Sequence, residues 1–176
     1  MKKVLLISAI TMISLNLFAQ TAKNSWMIGG SAGFSSTKQK GNDEKTTSTK
    51  IEFSPKLGYF ICNDFAVGLN LDLSSSTQGL SSSSYSGYGV FTRYYYPAKS
   101  KTAKVFGSFD MTFLNKTENK ASFNSTKFGI GLGGVYFPTK NMGIETLVGY
   151  SLENASQYTD QIREIGVKVG LQFYLF

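Results

Sequence analysis

The sequence contains no histidine. That removes the usual general base of Ser-His-Asp and Cys-His nucleophile systems, and with it the commonest metal ligand. A single cysteine, Cys62, excludes an internal disulfide framework and reads as an incidental small apolar residue beside a turn. Only three prolines interrupt the chain. Beyond the N-terminus no apolar run approaches the roughly 20 residues that a membrane-spanning helix needs. That test does not see a strand, whose alternating faces dilute its mean hydropathy.

The N-terminus has the layout of a secretory signal peptide over residues 1–19. Lys2 and Lys3 form a positive start, Val4 to Phe18 a mostly apolar stretch, and Ala19 a small residue before the cut. The expected mature domain is 20–176, an exported chain. No cysteine follows the cut closely, which argues against a lipid-anchored lipoprotein. Without Lys2 and Lys3 the 18 basic residues become 16 against 11 acidic ones, a net of +5. In an exported protein with scattered lysines, this excess indicates no nucleic-acid partner. It fits a solvated surface or contact with anionic head groups.

What the chain has in quantity is aromatic residues, 14% of the total, and 18 glycines. They are arranged with period two. In the last thirteen residues, Ile165, Val167, Val169, Leu171, Phe173 and Leu175 alternate with Glu164, Gly166, Lys168, Gly170, Gln172 and Tyr174. Strict alternation makes a strand with two chemically different faces. Seven earlier segments repeat the pattern, over 24–36, 50–60, 65–74, 85–96, 103–114, 125–137 and 142–153. Each is long enough to cross a bilayer when tilted. Short turns are expected at 61–64, 97–102 and 138–141, and longer polar loops at 37–49, 75–84, 115–124 and 154–163. This rhythm predicts an all-β, eight-stranded antiparallel up-and-down transmembrane β-barrel. Pro55 lies mid-segment, lacks the donor for a ladder hydrogen bond and predicts a bulge.

Charge decides which face meets lipid. None of the eight apolar half-sets carries a charge. The opposite half-sets hold Lys50, Lys56, Arg93, Lys104, Lys127 and Lys168 against Glu52, Asp72, Asp110, Glu145, Glu153 and Glu164, balanced in sign. Most strand glycines fall on that charged side, among them Gly58, Gly68, Gly129, Gly131 and Gly170. Glycine weakens a strand unless space is short. The interior of an eight-stranded barrel is that narrow, and Phe91, Tyr95 and Leu147 would fit among the glycines. The charged face is therefore expected inside, with Lys56, Asp72, Arg93, Asp110, Glu145 and Lys168 as a structural luminal network. Glu145 and Asp110 could also be imagined as a glycosidase pair, but enclosed charges need partners.

Aromatics give a second sign. Trp26, Tyr59, Phe60, Phe65, Tyr94, Tyr95, Tyr96, Tyr136, Phe137, Phe173, Tyr174 and Phe176 fall near the short turns or the termini. That predicts a belt at the lipid–water boundary. The stretches PKLGYF at 55–60, GYGVFTRYYYP at 87–97 and FGIGLGGVYFP at 128–138, with the closing strand, resemble small outer-membrane barrels of the OmpX and OmpA-barrel kind. The resemblance implies an outer-membrane location, outer-membrane lipid around the barrel and no cofactor. It also implies a C-terminal insertion signal, Gly170, Phe173, Leu175 and Phe176, read by barrel-assembly machinery. Lipid-modifying barrel enzymes generally use a histidine, which this chain lacks. The role expected is a non-enzymatic structural or surface-interaction protein, monomeric, with a side-chain-filled lumen. Lipopolysaccharide or a surface partner would be met through the loops, and Lys116, Lys120 and Lys127 are candidates for lipid phosphates. A narrow pore and a soluble periplasmic ligand-binding barrel are the alternatives.

Two local motifs carry no such weight. Gly129, Gly131 and Gly134 match the dinucleotide-binding glycine pattern, but no helix follows them. Asn115, Asn124 and Asn154 each open a glycosylation-type triplet, which a bacterial-type envelope protein rarely uses.

Overall fold

The computed structural model describes residues 21–40, 45–78, 81–96, 102–118, 121–155 and 162–176. Eight strands follow one another: β1 (Trp26–Lys40), β2 (Lys45–Cys62), β3 (Phe65–Gln78), β4 (Ser81–Tyr95), β5 (Ala103–Glu118), β6 (Ala121–Thr139), β7 (Met142–Ala155) and β8 (Ile162–Leu175). Each pairs antiparallel with its neighbour, and β1 pairs with β8 from Trp26↔Leu175 to Ser36↔Ile165. The sheet is a closed barrel with no free edge. Closure is what lets a β structure satisfy its backbone in hydrocarbon. The expected signal peptide, 1–19, lies outside the described residues.

The faces are inverted relative to a soluble protein. Leu132, at 71% exposure, Ile51, Leu69, Val105, Ile130, Val148 and Ile165 all point out. Glu52, Asp72, Arg93, Lys127, Glu145, Glu153 and Glu164 all point in and are buried. This arrangement removes the soluble-barrel alternative, because in water the greasy rows would have been turned inward.

Three expectations require correction. The polar stretches read as loops are largely strand: β1 runs to Lys40, β2 starts at Lys45, and β5 and β6 pair as far as Glu118↔Ala121. Above the bilayer neither face has to be apolar, so alternation stops while ladder pairing continues. Serine, threonine and lysine therefore hid the strand ends. Pro55 makes no bulge. On one side it pairs with Gly30. On the other, Phe53↔Leu73 and Lys56↔Asn70 keep one register across it. A single absent donor interrupts the ladder without shifting it. The register shifts sit instead between Phe60 and Cys62 and between Tyr136 and Thr139, next to the short turns.

The aromatic set is also two sets. Trp26, Tyr94, Tyr96, Tyr136, Phe173 and Phe176 are exposed and form the outer belt. Phe60, Tyr95, Phe137 and Tyr174 are buried inside. One residue along a strand reverses the face, so sequence proximity to the turns could not separate belt from interior.

Candidate functional site

The inward side chains form two groups, one above the other. Near the short turns, Arg93 on β4 reaches across the lumen to Glu145 on β7. Its Nη1 donates to Oε2 at 2.6 Å and its Nη2 to Oε1 at 3.0 Å. Gln172 on β8 donates to the same Oε1 at 3.0 Å. Both charges are 1% exposed. The guanidinium carbon lies 4.6 Å from the centre of the Phe106 ring, within cation–π range. A two-pronged, desolvated Arg–carboxylate pair is the strongest kind of side-chain contact.

An aromatic layer adjoins this pair. Tyr95 stacks near Phe106 at 5.3 Å and Phe60 at 5.7 Å, and Tyr174 meets Phe137 edge-on at 5.4 Å. The Tyr95 and Tyr174 hydroxyls are 3.3 Å apart, and Tyr95 also donates to Met27 Sδ at 3.4 Å. The rings fit because glycines face them. A Cβ added at Gly68 would lie 2.7 Å from Phe91 Cε1, and one at Gly133 2.5 Å from Phe106 Cζ.

The second group sits toward the long-loop end. Glu52 accepts from Lys168 and from Lys127, the latter at 3.4 Å. Lys50 lies 3.9 Å from Glu52 and 3.7 Å from Glu164, and Lys127 is 3.9 Å from Glu164. Ser54 Oγ lies 2.6 Å from Asp72 Oδ1 and 2.9 Å from Glu52 Oε1, and its single proton serves one at a time. A cavity of about 30 Å³, lined by Ser108, Asp110, Lys127, Glu164 and Lys168 among others, remains between the walls. Such a space admits a water molecule or two.

A folded N-terminal segment crosses the short-turn mouth. Asp64 N donates to Thr21 O at 2.8 Å, and Thr21 Oγ1 to Asp64 Oδ1 at 2.5 Å. Lys104 Nζ on β5 donates to both oxygens at 2.6 Å. Asn24 and Asp64 hold positive φ there, 70° and 66°, which Asn and Asp tolerate better than most residues.

Of the six residues expected to form one network, only Arg93 and Glu145 meet directly. Lys168 pairs with Glu52, Asp72 with Ser54, and Lys56 lies 5.7 Å over the Phe91 ring. Asp110 faces the cavity beside Gly129. Lys127, a candidate for lipid phosphate, is instead 4% exposed and paired inside; its inward parity outweighs its nearness to the rim. The side chains of Lys116 and Lys120 lie outside the described residues. Glu52, Gln172 and Ser54 were missed as site residues. Their inward parity was legible, but their partners depend on the register between strands. Gly170, Phe173 and Leu175 lie in β8 and Phe176 just past its end, Gly170 packed inside against Glu145 and the other three exposed. Among the described residues, no cluster of three His, Cys, Asp or Glu side chains could hold a metal ion.

Solved structures share this architecture. Neisserial surface protein A superposes with a TM-score of 0.66 at 13% identity, covering 86% of this chain and 99% of that one. The N-terminal β-barrel domain of Pseudomonas aeruginosa OprF gives 0.60 at 14% identity, covering 87% and 98%. Ail, the attachment invasion locus protein of Yersinia pestis, gives 0.51 at 14%, covering 87% and 99%. At these identities the likeness is one of fold. A comparison with curated protein sequences finds no significant match. The family profile described as "Outer membrane protein beta-barrel domain" matches residues 5–173. With the closed eight-stranded barrel and its greasy exterior, that match makes the chain a member of the outer-membrane protein β-barrel domain family.

Proposed function

We propose that the protein is a non-enzymatic, monomeric outer-membrane barrel with a side-chain-filled lumen and a structural or surface-interaction role. The observation that carries this reading is the Arg93–Glu145 bridge across the lumen, with rings from β2, β4, β5, β6 and β8 packed beside it. A path past that layer would require the two-pronged bridge and the rings packed beside it to move apart. The luminal charges act as internal struts. The missing histidine supports the non-enzymatic part.

In the same reading, residues 1–19 are a cleaved signal peptide. Gly170, Phe173, Leu175 and Phe176 are the signal read by the assembly machinery. Strand extensions beyond the membrane present the surface that meets lipopolysaccharide or another partner. Single-channel recording of refolded protein in planar bilayers tests the closed lumen. The expected result is a baseline without steps; stable, reproducible open steps would establish the narrow pore instead.

A further inference from the structure

The ladder joins each strand only to its two neighbours. The segment ahead of β1, residues 21–25, reaches further. Asn24 N donates to Phe60 O at 2.8 Å and Phe60 N to Ser25 O at 2.9 Å, which carries the β1–β2 pairing past Trp26. Lys23 N donates to Asn63 Oδ1 at 2.9 Å and Asp64 N to Thr21 O at 2.8 Å, so the chain lies over the β2–β3 turn. Asp64 O in turn accepts from Tyr95 N at 2.7 Å, at the end of β4. Lys104, the second residue of β5, closes a triangle with Thr21 Oγ1 and Asp64 Oδ1. Five residues thereby gather the short-turn rim from β1 to β5.

This contact depends on curvature. In a flat sheet β3 and β5 would stand two strand spacings apart, about 10 Å, and β1 and β5 four, about 19 Å. Lys104 faces inward, between an outward Ala103 and an outward Val105. Inward side chains of a flat sheet stand side by side, and only curling makes them converge on the axis. Thr21 and Lys104 are 83 residues apart, so their meeting waits on the strands between them. Chain ends fray unless tied down, and β1 is the end strand that this segment ties.

We propose that residues 21–25 are a latch that seats after the sheet has curled and then slows the release of β1 from the closed barrel. An interaction absent from the folding transition state leaves the folding rate alone and shows in the unfolding rate. The latch is therefore a device for kinetic stability. Lys104 and Asp64 are partly solvated, at 16% and 18% exposure, so the latch can open locally while the wall stays folded. The proposal does not rest on a closed lumen, and a conductance result leaves it untouched.

The test measures folding and unfolding rates of residues 20–176 in lipid vesicles after urea jumps, followed by the gel shift between folded and unfolded bands. Lys104→Met removes the cation of the triangle. A chain shortened to residues 24–176 removes Thr21 and Lys23. Lys140→Met is the control, an exposed lysine at another short turn. Lys104→Met should unfold about fivefold faster and the shortened chain roughly tenfold faster, both with folding rates within about twofold of wild type. Lys140→Met should match wild type in both directions. Hydrogen exchange locates the change: the amides of Asp64 and Tyr95 should exchange faster in Lys104→Met, and that of Val169, midway along β8, at the wild-type rate. Unchanged unfolding rates or unchanged exchange at Asp64 would overturn the proposal. So would folding slowed in step with the lost stability, which would put the segment in the folding nucleus, or equal acceleration by Lys140→Met, which would reduce the effect to net charge.

Discussion

Replacing Arg93 by methionine should destabilise the barrel more than any other single luminal change. Among the described residues the arginine gives Glu145 two of its three hydrogen bonds, at 2.6 and 3.0 Å, and leaves Gln172 as the only other donor. Both members are 1% exposed, so the stranded carboxylate has no water to turn to. Breaking such a pair from one side costs about 3–5 kcal/mol, and the lost contact with Phe106 contributes roughly 0.5–2 more. Glu145→Gln alone should cost about 3 kcal/mol, by leaving the guanidinium unneutralised. The double variant, Arg93→Met with Glu145→Gln, removes both charges and should lose clearly less than the two single losses added together. Residues in direct contact couple by up to about 3 kcal/mol, and a coupling near that limit is expected. Equilibrium urea unfolding in lipid vesicles, followed through the fluorescence of the one tryptophan, Trp26, measures all four corners of the cycle. Single variants within 1 kcal/mol of wild type, or strictly additive losses, would refute the internal strut.

Two further predictions use other parts of the wall. Gly68→Val places a Cβ 2.7 Å from both Gly58 Cα and Phe91 Cε1; overpacking of this kind costs roughly 1–3 kcal/mol, whereas Gly134→Val, in open space, should be neutral or slightly stabilising in the same unfolding assay. Lys104→Ala should release Thr21 and Asp64 at the short-turn mouth with a loss of only about 1 kcal/mol, since the pair is partly solvated, but trypsin should then cut at the exposed Lys23 markedly faster; an unchanged cleavage rate would show that the clasp does not hold the segment.

The barrel was legible in the sequence because two signals agree on seven of the eight segments, the first, 24–36, carrying no charge. The alternation from Ile165 to Leu175 gives the period, and the placement of charges such as Glu52 and Arg93 gives the inside. The pairings were not legible. Lys168 meets Glu52 across the β1 strand between them, through Gly33↔Lys168 and Gly33↔Glu52. Only the relative register of three strands brings the two side chains together. The strand ends were missed for a related reason: past the bilayer, as in Thr46–Thr49 and Ser81–Ser84, the solvent no longer imposes a greasy face, so period two fades while the ladder goes on. Phe60, Phe137 and Tyr174 misled because their type favours the rim while their parity places them inside; Tyr95, assigned by type to the rim and by parity to the space among the glycines, lies inside.

The central claim is that the apolar rows of this sheet face hydrocarbon. A nitroxide scan tests it most directly, with one spin label at each position from Ile165 to Leu175 in a Cys62→Ser background, reconstituted in liposomes. The odd positions should be accessible to oxygen dissolved in the bilayer and shielded from a water-soluble nickel chelate, alternating with even positions shielded from oxygen. Odd positions protected from oxygen, beside even positions open to the chelate, would contradict the account.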